Sequence, residues 1–452
     1  MQVTYWLEHA WLGTRVEPGV ALTATDERIT ELRTEVPAPP PGATVLRGLT
    51  LPGLANAHSH AFHRALRGTV QVGTGTFWTW RDIMYSVAFH LTPDSYFALA
   101  RAVYGEMALA GITCVGEFHY LHHQPGGVPY ADPNAMGRAL IAAAAEAGIR
   151  ITLLDTAYLH GGLSRGGYRP LEGTQSRFGD GTAERWHARW SQLEGGAHAR
   201  IGAALHSVRA FSDRDGYKTF AEWTRDVPTH IHLSEQPAEN EACVAAHGRT
   251  PARLLADSGF WGPLTTAVHA THLTGEDISL LGRAGSTVCM CPTTERDLAD
   301  GIGPAPQLRR AGSPLSLGSD SHAVIDLLEE ARALELDERL RSRTRGHWTA
   351  AQLLRAATED GHACLGWPDA GRLEVGALAD LTTVALDSVR TAGPPPRLGA
   401  ETAVFAATAA DVRHTVVGGR HVVRDGQHQL IDDVPAALAA AISTATHGAT
   451  TG

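Results

Sequence analysis

Between residues 51 and 370 the chain alternates short apolar runs with longer amphipathic stretches, and this alternation constrains the fold most. Eight runs have strand character: Gly53–Ala57, Thr113–Phe118, Arg150–Ala157, Arg200–Ser207, Thr229–Leu233, Thr265–His269, Ser286–Cys291 and Pro314–Gly318. Helical patterns such as Ser95–Ala110, Asn134–Ala147, Gly216–Arg225 and Pro237–Ala246 separate most of them. Short apolar strands interleaved with helices read as βαβ units on a parallel sheet. Eight such units predict an α/β chain built on a (β/α)8 TIM-like barrel, with a large doubly wound sheet as the alternative. The flanks have a different texture. Thr4–Leu7, Val20–Thr23 and Ile29–Leu32 precede the Pro-rich Pro37–Gly42, and Leu381–Ala385, His414–Val417 and His421–Val423 follow the barrel region. These segments predict a small β-sandwich domain formed by both termini. The expected organisation is residues 1–50 for its N-terminal part, 51–370 for the barrel and 371–452 for its C-terminal part. The last stretch, rich in Ala, Thr and Gly, reads as a closing helix with a frayed tail.

Composition removes several function classes. The chain has 38 Lys+Arg against 48 Asp+Glu, a formal charge of -10, which disfavours nucleic acid and anionic membranes as partners. The five cysteines, at 114, 243, 289, 291 and 364, include no C-x-x-C and predict neither a disulfide framework nor a thiolate zinc knuckle. Met1 to Gly13 has no basic segment followed by an apolar run, and no stretch approaches the ~20 apolar residues of a membrane span. A cytoplasmic, soluble protein is expected. Lys218 is the only lysine, so chemistry that needs a lysine has one candidate.

Polar residues crowd the carboxyl ends of the predicted strands, the face where barrels place their sites. His58 and His60 end the first strand, Glu117 the second, His206 the fourth, His232 the fifth, His269 the sixth and Asp320 the eighth. Two histidines two apart on an extended segment point to one side and can share a metal ion. His232 and Asp320 complete a nitrogen and oxygen donor set suited to one divalent metal per chain, zinc by ligand type and iron(II) by compatibility. Glu235, three residues after His232, stands where a proton shuttle belongs. Each signal has a bland alternative: Asp320 as a helix N-cap, His269 as a satisfied core histidine. Their order on separate strand ends favours the metal reading. His119, His122 and His123 form a rival cluster, read as a loop near the rim of the site.

With these residues in place the chain resembles the amidohydrolase superfamily. The resemblance rests on Leu51-Pro-Gly-Leu-Ala-Asn-Ala-His58-Ser-His60, His232-Leu-Ser-Glu235, His269, Ser319-Asp320 and the Gly371–Leu381 segment, and it covers essentially the whole chain. It implies that His58, His60, His232 and Asp320 bind metal. Two-metal members usually carry a carboxylated lysine at the end of strand four; the candidate strand has none, so one metal is favoured, with a glutamate bridge as the alternative. Within the superfamily the resemblance narrows to the formimidoylglutamate deiminases. It does so through Phe77-Trp-Thr-Trp-Arg81, Glu117-Phe-His-Tyr120-Leu-His-His123, Leu205-His206-Ser-Val-Arg209, Val268-His269-Ala-Thr-His272 and Cys291-Pro-Thr-Thr-Glu295.

That resemblance implies hydrolysis of N-formimidoyl-L-glutamate to N-formyl-L-glutamate and ammonia, a step of histidine degradation, by a homodimer. It assigns Glu235, His269 and Asp320 to catalysis and Arg81, Tyr120, His206 and Arg209 to a pocket for a small dicarboxylate. Guanidinium suits that dianion because it binds carboxylate bidentately. One departure stands out. The family often carries Gln at the third residue after the second metal histidine, where this chain has His63, so its charge near pH 7 bears on substrate choice. The alternatives are a deaminase of a guanine or adenosine-type ring, for which Trp78 and Trp80 offer stacking, imidazolonepropionase-like ring opening, and a non-catalytic amidohydrolase-like scaffold.

Overall fold

The structure, a computed structural model, describes residues 2–72 and 77–446, with the side chains of 77–79 outside the description. The end of the expected closing segment, residues 447–452, and the Trp78 side chain therefore lie outside the described residues.

The chain opens with four strands, β1 (Gln2–Trp11), β2 (Val16–Thr25), β3 (Arg28–Arg33) and β4 (Thr44–Pro52). After Gly53 it enters β5 (Leu54–Ser59), β6 (Ile112–His119) and β7 (Arg150–Ala157), then a hairpin, β8 (Gly162–Ser164) and β9 (Gly167–Arg169). There follow β10 (Ala199–Leu205), β11 (Thr229–Leu233), β12 (Thr265–His269), β13 (Thr287–Met290) and β14 (Leu315–Leu317). Four more strands close the fold: β15 (Leu381–Val384), β16 (Val412–Val417), β17 (Arg420–Arg424) and β18 (Gln427–His428), before a final helix, Val434–Thr446.

The eight strands predicted for the centre, β5, β6, β7 and β10 to β14, pair in parallel in chain order. A parallel bridge between Ser59 and Asp320 joins the two edges, so the sheet is a nearly closed (β/α)8 barrel. β6 and β7 are buried along their whole length, as strands covered on both faces must be. The closure depends on a glycine: a Cβ on Gly318 would sit 2.7 Å from the Cβ of His58.

The second sheet is mixed and comes from both termini, in the order β18-β17-β16-β15-β4-β1-β2-β3. Its core is small and aliphatic, with Leu7, Val20, Leu22, Leu46 and Val416 fully buried. Arg150, at the start of β7, fastens it to the bottom of the barrel. Its Nε donates to Asp380 Oδ2 at 2.8 Å and its Nη2 to Glu27 at 3.1 Å, with the guanidinium 5.2 Å from the Trp367 ring centroid. Removing one partner of so buried a pair typically costs about 3–5 kcal/mol. No helix among the described residues is long and apolar enough to cross a membrane.

Candidate active site

The barrel closes at the ends of β5 and β14, and this seam brings the predicted ligands together. His60 N–H donates to the Asp320 carbonyl at 3.3 Å and Asp320 N–H to the His58 carbonyl at 3.0 Å. Asn56 bonds both the backbone N–H and the hydroxyl of Ser319, and His322 bridges the hydroxyls of Ser59 and Ser319. Glu117 accepts from Ser59 Oγ and Ala61 N, each at 2.7 Å, and burial pushes its carboxyl up to about 7. Backbone strain collects here: Ser234, His269, Ala270, Asp320 and His322 all have positive φ without being glycine. Such conformations cost on the order of 1 kcal/mol or more each and persist only where the surroundings over-determine them.

His58, His60, His232 and Asp320 place one donor atom each within 4.8 Å of one another, all buried. Hydrogen bonds set the tautomers. His60 Nδ1 lies 3.0 Å from the Phe118 carbonyl and His232 Nδ1 3.0 Å from the His206 carbonyl; a carbonyl only accepts, so each Nδ1 carries the proton. The Nε2 lone pairs then face inward, with His58 Nε2 and His232 Nε2 3.0 Å apart and Asp320 Oδ1 3.3 Å from both His58 Nε2 and His60 Nε2. Burial pushes His58 down to about 3 and His232 well below the histidine range, so these imidazoles are neutral. Lone pairs and a carboxylate converging in a buried spot repel one another unless a cation sits between them. The donor set, with ring N–H groups anchored on carbonyls, fits a divalent metal.

Glu235 stands beside this group and outside it. Its carboxylate lies 3.9 Å from His269 Nε2 and 3.7 Å from Arg209 Nη2. His269 faces three acids, Glu235, Glu295 at 3.4 Å and Asp320 at 3.7 Å. Against the opposing effect of burial, they hold it well above the usual histidine range.

These residues open into a cavity of about 290 Å³. Of the eleven residues singled out in the sequence, every one except His58 lines it; His58 sits behind the other three donors. Arg209 is held by Glu239, whose Oε2 accepts its Nε at 2.7 Å while Oε1 accepts Ser234 N–H at 2.9 Å. His63 is buried, with Nε2 3.1 Å from the Tyr120 hydroxyl and its ring against His60. Burial and the neighbouring His60 keep it well below the histidine range, so it enters the cavity as a neutral imidazole. His206 packs on Tyr158, ring centroids 4.3 Å apart. The cation of Arg81 lies 5.5 Å from the Tyr85 ring centroid. Lys218 is exposed on the helix Tyr217–Trp223, away from the cavity.

The rival cluster does not reach the rim. His119, His122 and His123 are buried and none lines the cavity. They pack against Asp155 and Asp180, both of which are bonded by Arg189. Sequence reasoning missed Glu239, Glu295 and Arg169. Glu239, near the start of the helix Pro237–His247, carried a weak signal, since an acid there caps backbone N–H groups. Glu295 stands in a motif quoted above without a role, and Arg169 lies in a Gly-rich loop with no periodicity.

The sequence pattern of the amidohydrolase family matches residues 49–422. A formimidoylglutamate deiminase from Pseudomonas aeruginosa is 37% identical over 418 residues, covering 90% of this chain and 91% of that one. An 8-oxoguanine deaminase from the same organism is 32% identical over 425 residues, 91% of each chain. The crystal structure of an amidohydrolase from Brucella melitensis superposes with a TM-score of 0.89 at 32% identity, covering 98% of this chain and 99% of that one. That of an adenosine deaminase from Xanthomonas campestris with bound zinc gives 0.83 at 24% identity over 99% of both, which speaks to the fold alone.

Proposed function

The chain belongs to the amidohydrolase family, and from that premise we propose that it is a metal-dependent deiminase of N-formimidoyl-L-glutamate. The reaction adds water to the formimino carbon and releases N-formyl-L-glutamate and ammonia. One observation carries the reading: three of the four donors, Glu235 and an arginine oriented by Glu239 line a single cavity.

A divalent ion held by His58, His60, His232 and Asp320 supplies Lewis acidity and brings the pKa of water toward neutrality, zinc suiting this donor set and iron(II) being compatible. Glu235 carries a proton from the attacking water to the nitrogen that departs as ammonia. His269, between Glu235 and Asp320, donates to the oxygen as the carbon becomes tetrahedral. Asp320 shares in accepting the water proton. Arg209 has its Nε tied to Glu239, which orients its Nη groups toward a substrate carboxylate. Arg81, Tyr120, His206 and neutral His63 complete the walls of this pocket.

A second reading has a specific observation in its favour. Trp80, Tyr85, Tyr120, Tyr158 and Phe178 also line the cavity, and an aromatic wall suits a purine ring such as that of 8-oxoguanine. Ammonia release from N-formimidoyl-L-glutamate, N-formimidoyl-L-aspartate and 8-oxoguanine by metal-analysed protein separates the two. The glutamate compound is expected to react fastest. Preference for 8-oxoguanine would replace the dicarboxylate reading with the ring reading.

A further inference from the structure

Resting on the hydrolytic reading, with His269 as donor to the reacting oxygen, we propose that Glu295 is a positioning residue for the reaction. Its carboxylate selects the orientation of the His269 ring and so aims Nε2 into the cavity. This role is the same for a linear amidine and for a purine ring.

The orientation of the ring needs a cause. The terminal torsion of histidine is broad and roughly two-fold, and a half-turn puts carbon where each nitrogen stands. The His232 ring lies nearly parallel to that of His269, centroids 5.6 Å and planes 13° apart, which constrains the plane but not the flip. Nε2 makes no hydrogen bond among the described residues, with Glu235 and Asp320 standing 3.9 and 3.7 Å away. Nδ1 has a partner, Glu295 Oε1 at 3.4 Å. A carboxylate only accepts, so Nδ1 carries a hydrogen and donates it. A buried carboxylate on Nδ1 is a general device for holding an active imidazole in one tautomer and one direction. His269 also leaves β12 through a strained turn, with φ of +66 there and +49 at Ala270, which persists only where its neighbours over-determine it.

Glu295 is itself held from several sides. It lies on the helix Pro292–Asp297, which follows β13, the strand paired with β12. The Oε1 that faces His269 also accepts Cys291 N–H at 2.8 Å, and Glu295 N–H donates to the Cys291 carbonyl at 2.9 Å. Glu330, on the helix Leu327–Ser342, accepts the Thr293 N–H at 2.9 Å and the Thr293 hydroxyl. Ser321 N–H donates to Thr294 Oγ1 at 3.2 Å, which ties the same helix to the turn after Asp320. The carboxylate that aims His269 is therefore fixed in the frame of the donor group.

Glu295 is buried and does not line the cavity, whereas His269 does. Its influence on the substrate passes through the imidazole.

The test uses the full-length, metal-loaded protein with N-formimidoyl-L-glutamate, and with 8-oxoguanine beside it. Glu295→Met keeps the bulk and removes the acceptor; Glu295→Gln keeps an amide oxygen that accepts from Nδ1. Glu295→Met is expected to lower kcat about 10- to 100-fold with KM within about twofold and metal content unchanged, and Glu295→Gln to regain most of that loss. In a His269→Asn background Glu295→Met should cost less than about threefold, because its effect runs through the ring. An equal loss with and without His269, or no loss, overturns the assignment. If Glu295→Met does not fold, Glu295→Asp, which keeps the charge and shortens the arm, replaces it with the same expectations. Crystal structures give a readout that needs no activity: the His269 ring should turn from its wild-type direction in Glu295→Met and keep it in Glu295→Gln. If the wild type releases ammonia but the ring and kcat of Glu295→Met are unchanged, Glu295 is excluded and the function stands. If the ring turns but neither compound gives ammonia, the functional reading is rejected and the positioning contact stands.

Discussion

Two buried histidine–aspartate groups sit at strand ends of the same barrel. One joins His58, His60, His232 and Asp320; the other joins His119, His122 and Asp155. In each, donor atoms lie within 4.8 Å of one another, and burial holds histidines in the neutral form. The difference is the source of positive charge. In the second group Arg189 donates to Asp155 at 2.8 and 2.9 Å and to Asp180 at 2.9 Å, and Trp186 Nε1 donates to Asp155 as well. In the first, Asp320 faces the imidazoles of the donor group, and His269, held in its charged form 3.7 Å away, is shared with Glu235 and Glu295. Residue types and spacing therefore do not separate a metal centre from a structural cluster. What separates them is whether the fold hydrogen-bonds a cation of its own directly to the group's carboxylate.

Removing Asp320 should break the first group most severely. Asp320→Ala is expected to lower turnover by about 10³-fold or more, read by ammonia release, because both charge balance and metal retention fail. Undiminished turnover would return Asp320 to a structural role. Removing the built-in cation tests the other side. Arg189→Met leaves Asp155 and Asp180 buried without it and should cost about 3–5 kcal/mol in calorimetric stability. Metal content per folded chain should not change. A variant as stable as the wild type would mean that Arg189 is not the neutralising partner.

Glu235→Gln sharpens the boundary of the first group. It should keep the metal and lose about 10²–10³-fold in kcat, since Glu235 stands beside the donors and not among them. Loss of metal would make it a ligand. The smallest effect belongs to pH. Burial and then Arg189 push His122 down to about 4, from 6.5. The unfolded chain takes this proton first, so stability is full above pH 6.5 and falls as the pH drops toward 4. The slope from this one group is at most about 1.4 kcal/mol per pH unit. His122→Gln should flatten that part of the melting temperature profile relative to the wild type. An unchanged slope would show that His122 is protonated in the folded state.

Much of this was legible in the sequence, for a physical reason. Strands buried on both faces read as near-continuous apolar runs, and ligands at strand ends follow them directly, which is why His58, His232 and Asp320 could be placed beforehand. Three features were not legible. Arg189 meets Asp155 and Asp180 only after the chain folds back from the helix Ala183–Trp190, so no spacing announces that His119 and His122 are neutralised from within. The hairpin carrying Arg169 has strands of three residues each, too short for any periodicity. The role of Glu239 depends on the turn at Ser234, whose φ of +51 no residue type there signals.

Metal analysis of the wild type beside Asp320→Ala and His119→Gln tests the central distinction most directly. The account predicts about one divalent ion per chain in the wild type and in His119→Gln, and none retained in Asp320→Ala. Metal that survives Asp320→Ala but is lost in His119→Gln would contradict it and move the metal centre to the cluster that Arg189 is held here to neutralise.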